Sequence, residues 1–122
     1  MTALVWAIFA VSAVPASPHH SFSAQFDPMK KITLKGHVTK VDWVNPHSYV
    51  YLDVKDDRGR IVNWAIEGSS PNVLEMRGWT RNTIRPGDQV TALGFPAKDG
   101  SYLILAVNLT LPDGQKMVLG VE

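Results

Sequence analysis

The stretch ITLKGHVTKVDWVNPHSYVYLDV, residues 32–54, decides the fold. β-Branched and aromatic residues fill both halves, and the one strong turn signal between them is Asn45-Pro46. Proline fixes its own φ and steers the preceding residue away from the helical region, so two long strands meeting at a corner are predicted. In the second half Val50, Leu52 and Val54 alternate with Tyr49, Tyr51 and Asp53, the period of a strand with one buried and one wet face. His47 falls in phase with the tyrosines, which places an imidazole at the mouth of an outer aromatic stripe. In the first half Ile32, Leu34 and Val38 share one parity, while Val41 and Trp43 take the other. A slip of one residue inside an apolar run predicts a bulge near Thr39-Lys40, the device that bends a long strand around a small barrel.

Working outward, 122 residues with 45% hydrophobic and 19% charged content suit one globular domain and are too few for two cores. Twelve basic against eleven acidic residues, with no basic block, lack the electrostatic footprint that a nucleic-acid partner requires. The chain has no cysteine, which removes thiolate metal sites, disulfides and cysteine nucleophiles together. The first charged side chain is Asp27. MTALVWAIFAVSAVPA, residues 1–16, reads as a signal peptide cut after Ala16: its apolar run of about fourteen residues falls short of the roughly 20 that span a bilayer. A periplasmic or secreted location follows, without stable membrane insertion once the signal is removed.

Residues 17–31, SPHHSFSAQFDPMKK, lack a sustained period and are expected to form an extended arm, stapled to the domain by Phe22 and Phe26. The domain itself is residues 32–122. After the first two strands, Asp56-Asp57-Arg58-Gly59 makes a hairpin turn, and RIVNWAIE, residues 60–67, alternates with Val62, Trp64 and Ile66 inward and Asn63 and Glu67 outward. Ser70-Pro71 before Val73-Leu74-Glu75-Met76, closed by Gly78, has the cap, first-turn proline and terminal glycine of a short helix. Turns at Arg85-Pro86-Gly87-Asp88, Asp99-Gly100 and Pro112-Asp113-Gly114 then separate QVTALGFPA, YLILAVNLTL and QKMVLGV. Three strands in meander, one short helix and two or three more strands define an all-β, OB-like antiparallel barrel of five to six strands. An immunoglobulin-type sandwich is the competing arrangement, disfavoured by the strand count, the central helix and the lack of a Cys-Trp-Cys pattern.

Seven short stretches carry a family resemblance: His19-His20-Ser21-Phe22, Gln25-Phe26-Asp27, Val41 to His47, Asn63 to Glu67, Ser70-Pro71-Asn72, Arg77-Gly78-Trp79-Thr80 and Pro86-Gly87-Asp88. With them the chain resembles a bacterial family of small exported proteins, a domain of unknown function. The resemblance implies no activity and no site. Family members usually place the His-His pair directly after an alanine, whereas this chain inserts Ser17-Pro18, so His19 is not its first residue after a cut at Ala16.

Four histidines, His19, His20, His37 and His47, supply imidazole, the commonest metal ligand. Without cysteine, a metal site drawn from His19, His20, His47 and Glu67 would suit copper(II) or zinc. His37, in phase with Thr33 and Lys35, reads as a plain exposed strand residue. A ligand or partner surface is expected at His47, Tyr49 and Tyr51, joined by Trp43 and Asn45 at the barrel mouth, for an unidentified protein or small molecule. Core packing is the default for Trp43, Trp64 and Trp79. No Gly-x-Ser-x-Gly elbow, phosphate-binding glycine loop or His-Glu-x-x-His helix occurs, so a non-catalytic binding module is expected, with a metal carrier and an enzyme as alternatives.

Overall fold

The computed structural model describes residues 19–121, with side chains from Phe22 onward. The signal peptide expected at 1–16 and the side chains of His19 and His20 therefore lie outside the described residues. Six strands, β1 (Ile32–Asp42), β2 (Tyr49–Lys55), β3 (Ile61–Glu67), β4 (Gln89–Pro96), β5 (Leu103–Thr110) and β6 (Lys116–Val118), form one sheet in the order β3-β2-β1-β4-β5-β6. Parallel pairing of Ala65, Ile66 and Glu67 with Leu103, Ile104 and Leu105 joins β3 to β5 and closes five strands into a barrel, with β6 appended to β5. This is the OB-like barrel that the strand order predicts, and closure leaves few open edges.

The alternation of β2 is realised as read: Val50, Leu52 and Val54 are buried, while Tyr49, Tyr51 and Asp53 lie half-exposed on the outer face. Leu34, Val38, Ile66, Val90, Ile104 and Leu109 meet them in a single core. Each such side chain contributes about 1.5–3 kcal/mol by leaving water. The pairing of β1 with β2 shifts register between Val38 and Lys40, so the bulge sits where the parity slip puts it. Beyond the bulge Val41 and Trp43 pack against the core from its margin. Gly36 lets β1 bend against β2, since a Cβ there would run into the carbonyl oxygen of Asp53.

The turns follow their residues. Asp56 Oδ1 accepts from the amides of Arg58 and Arg60, each at 2.9 Å, and Gly59 supplies the positive φ that ends the hairpin. Helix α2 (Pro71–Met76) is capped by Ser70, whose Oγ accepts from the Val73 amide, and Gly78 at φ 90° follows its last turn. Trp79 is 2% exposed, and its Nε1 donates to the Val118 carbonyl at 2.9 Å, tying α2 to β6.

One expectation is corrected. Residues 19–25 are not an extended arm but a helix, α1 (His19–Gln25), so the domain carries a second short helix. The phenylalanine spacing explains it, because residues four apart share one helical face and bury together. Phe22 and Phe26 stack at 6.1 Å between centroids, and Phe22 meets the edge of Phe95 at 5.4 Å. The stapling expected of the two rings is what holds α1 on β4, helped by backbone bonds from Asp27 to Pro96 and from Lys98 to Gln25, both 2.9 Å.

Candidate functional site

β2 begins where β3 ends, and their register sets Tyr49 opposite Glu67 at one end of the barrel. The Tyr49 hydroxyl donates to Glu67 Oε1 at 3.1 Å. Outward alternation puts Tyr51 beside Tyr49, with ring centroids 6.3 Å apart and planes 28° from parallel. Lys40, brought round by the bulge, stands 5.5 Å from the Tyr51 centroid while pairing with Asp42 at 3.3 Å. Further along the same face Asn63 Nδ2 donates to Asp53 Oδ1 at 2.9 Å and to Thr39 Oγ1 at 3.1 Å. The outer stripe thus runs from an imidazole through two phenols to a closed polar network.

Glu67 departs from the outward, solvated position that alternation assigns it: it is 8% exposed. Its side of the sheet is the outer one, but α1 lies across it. Phe22 and Gln25 from the helix, Phe26 just after it, His47 from the corner, Glu67 from β3 and Leu105 from β5 line an open cavity of about 150 Å³. His47 is exposed and gives this cavity a solvent-facing wall. The corner before it holds a cis peptide between Asn45 and Pro46. Inside it, Ser48 is buried, its amide donating to the Ser69 carbonyl at 3.1 Å and its own carbonyl accepting from Gly68 at 2.7 Å.

Burial, followed by the Glu67 carboxylate and the hydrogen bond to it, pushes the Tyr49 phenol up to about 12. At neutral pH it is therefore a fixed donor, and it aims one carboxylate oxygen. Among the described residues no other donor reaches Glu67, and neither ion pair found there, Lys40 with Asp42 and Arg60 with Asp56, involves it.

Of the residues singled out from sequence, His47 and Glu67 meet in one cavity, with Tyr49 bonded to the second and Tyr51 stacked on Tyr49. Asn45 is exposed in the corner and does not line the cavity. Trp43 is half-buried and packs against the core, and its Nε1 is buried without a partner among the described residues. The inward parity of Val41 and Trp43 beyond the bulge is the reason. No three His, Asp or Glu side chains gather among the described residues; His19 and His20 enter only through their backbone, as the first two residues of α1. Gln25 and Leu105 were not expected in the site. Ser69 and Ser70, which stand beside Glu67 in sequence, are engaged elsewhere: Ser70 caps α2, and Ser69 Oγ donates to the Gly120 carbonyl at 3.3 Å.

Fold and site together define a small closed OB-like β-barrel with a helix laid over a buried carboxylate at one end. Residues 7–106 match a family of unknown function, DUF6152, and the chain belongs to that family. None of the curated proteins compared with the chain matches it.

Proposed function

We propose that this protein is an exported binding module with no covalent chemistry of its own, and that its ligand surface is the outer stripe of His47, Tyr49 and Tyr51 with the adjoining cavity. The observation that carries this reading is the 8% exposed Glu67 carboxylate, held at 3.1 Å by Tyr49 and in no ion pair among the described residues. A carboxylate taken from water without a cationic partner costs several kcal/mol, and a ligand that supplies the missing charge or donors offsets that cost. Two stacked phenols beside it offer a rigid, amphipathic contact surface of the kind that dominates binding hot spots. Export is supported by the uncharged, apolar first sixteen residues.

The test has two arms. Fractionation with N-terminal sequencing of the exported product is expected to find a periplasmic or secreted protein that begins at Ser17. Immobilised protein is expected to recover from periplasmic extract a species that the Tyr49→Ala/Tyr51→Ala double variant fails to recover. Equal recovery by both baits refutes the stripe as the binding surface.

A further inference from the structure

The acidic wall of the cleft under α1 forms no ion pair among the described residues: those found there join Lys40 to Asp42 and Arg60 to Asp56, and leave out Glu67. Lys98, bonded to the same helix through its own amide, sends its ammonium to the Ser23 carbonyl and does not line the cleft. The two oxygens of Glu67 are unlike. Oε1 accepts from the Tyr49 hydroxyl, whereas Oε2 accepts from no donor among the described residues. The sealed-in side-chain atoms that lack a partner there are Trp43 Nε1 and Ser48 Oγ, so Oε2 is not sealed in and opens on the cleft that Glu67 lines. Phe22, Phe26 and Leu105 make the rest of the lining largely apolar, with the exposed Gln25 amide at its rim. The volume, about 150 Å³, takes about five groups the size of a water molecule at roughly 30 Å³ each, which is one nitrogen on a four-carbon stem.

Resting on the reading of this end of the barrel as a binding surface, we propose that the cleft binds a primary alkylammonium, a single cationic nitrogen at the end of a slim aliphatic stem, as on a lysine side chain or a free aliphatic amine. The ammonium donates to Glu67 Oε2 and to the Gln25 amide oxygen, and the stem lies against Phe22, Phe26 and Leu105. Its charge offsets the cost of a carboxylate held away from water. A guanidinium is the poorer occupant, because its planar fork matches both oxygens of a carboxylate and Tyr49 already holds one. An ammonium is a point charge with rotatable donors, and one free oxygen suffices for it. Tyr49 is thus the specificity residue of the cleft. A metal ion finds two ligand side chains in the lining, His47 and Glu67, and no group of three among the described residues.

The test is an amide NMR titration of the exported protein at neutral pH with n-butylammonium, and with n-butanol and n-butylguanidinium as matched probes. Butylammonium is expected to shift the amide signals of Gln25, Phe26, Glu67 and Leu105 and to saturate, while butanol leaves them in place. Butylguanidinium is expected to bind about fivefold more weakly. Glu67→Gln is expected to weaken butylammonium about tenfold, as loss of a charge-assisted hydrogen bond does. Tyr49→Phe frees the second oxygen and is expected to bring butylguanidinium level with butylammonium, a change of ratio that a merely structural role would not produce. Retained amide dispersion shows that each variant folds. No saturable shift with butylammonium, an equal response to butanol, a guanidinium preference in the wild type, or unchanged affinity in Glu67→Gln overturns the proposal. An unchanged ratio in Tyr49→Phe removes Tyr49 from it. The peptide Ac-Gly-Lys-Gly-NH2, titrated alongside, separates the two sources: tighter binding than butylammonium assigns a partner's lysine side chain, and equal or weaker binding a free amine. If the amine fails to bind while the tyrosine double variant still loses extract recovery, the alkylammonium falls and the binding module stands. If the amine binds while both baits recover equally, the stripe falls and the cleft stands.

Discussion

Replacing Tyr49 with Phe removes one oxygen atom and one hydrogen bond, and the structure says what each is worth. The bond runs to a carboxylate, a class that contributes about 1.5–3 kcal/mol when well buried. Here it spans 3.1 Å and the phenol is half-exposed, so we expect about 1 kcal/mol. For a domain of this size that lowers Tm by roughly 4–8 °C at neutral pH. The pH dependence is the sharper signature. Burial and Glu67 raise the Tyr49 pKa from 10.0 to about 12, so below pH 10 the phenol is protonated in both folded and unfolded chains. Between these values only the unfolded chain releases the proton, and stability falls as pH rises. Above the folded value the contribution is gone. Urea unfolding at pH 7 and pH 11 should therefore find wild type more stable than Tyr49→Phe at the lower pH, with the gap narrowing at the higher. Absorbance titration should find a phenol ionising near 12 that is missing from the variant. A persisting step near 12 in Tyr49→Phe, or a stability gap that does not change with pH, refutes the assignment of the Tyr49–Glu67 bond.

Three further outcomes follow from the packing. Gly36→Ala drives a methyl group into the Asp53 carbonyl of β2 and should cost about 3 kcal/mol in urea unfolding, the upper range for overpacking. Ser70→Ala removes the acceptor for the Val73 amide at the start of α2 and should cost about 1 kcal/mol by the same measurement. Phe26→Ala, at a side chain 3% exposed, should cost about 3 kcal/mol, with the loss concentrated on α1: limited proteolysis should cut before Asp27 while the barrel core keeps its amide protection.

The barrel was legible in the sequence wherever its determinants are local. The Val50-Leu52-Val54 alternation, the parity slip between Val38 and Val41, the Asp56 to Gly59 turn and the Ser70-Pro71 cap each lie within a few residues of what they specify. Helix α1 was not, because seven residues are too short for a helical period to rise above a polar background. Only the spacing of Phe22 and Phe26 pointed to it. Alternation likewise assigns Glu67 a side of its sheet correctly but says nothing about a cover arriving from the N-terminal segment. His47, Tyr49 and Glu67 could each be named from the sequence, and His47 could be set beside Glu67, whereas the helix that covers Glu67 is a long-range contact.

The shift between Val38 and Lys40 leaves β1 one residue longer than its partner needs. Deleting Thr39 would keep Val41 and Trp43 pointing inward and make the pattern of the strand more regular, yet it would take out the kink that carries β1 from one wall to the next. Curvature here is stored as a surplus of chain, and a tidier sequence would spell a flatter ribbon.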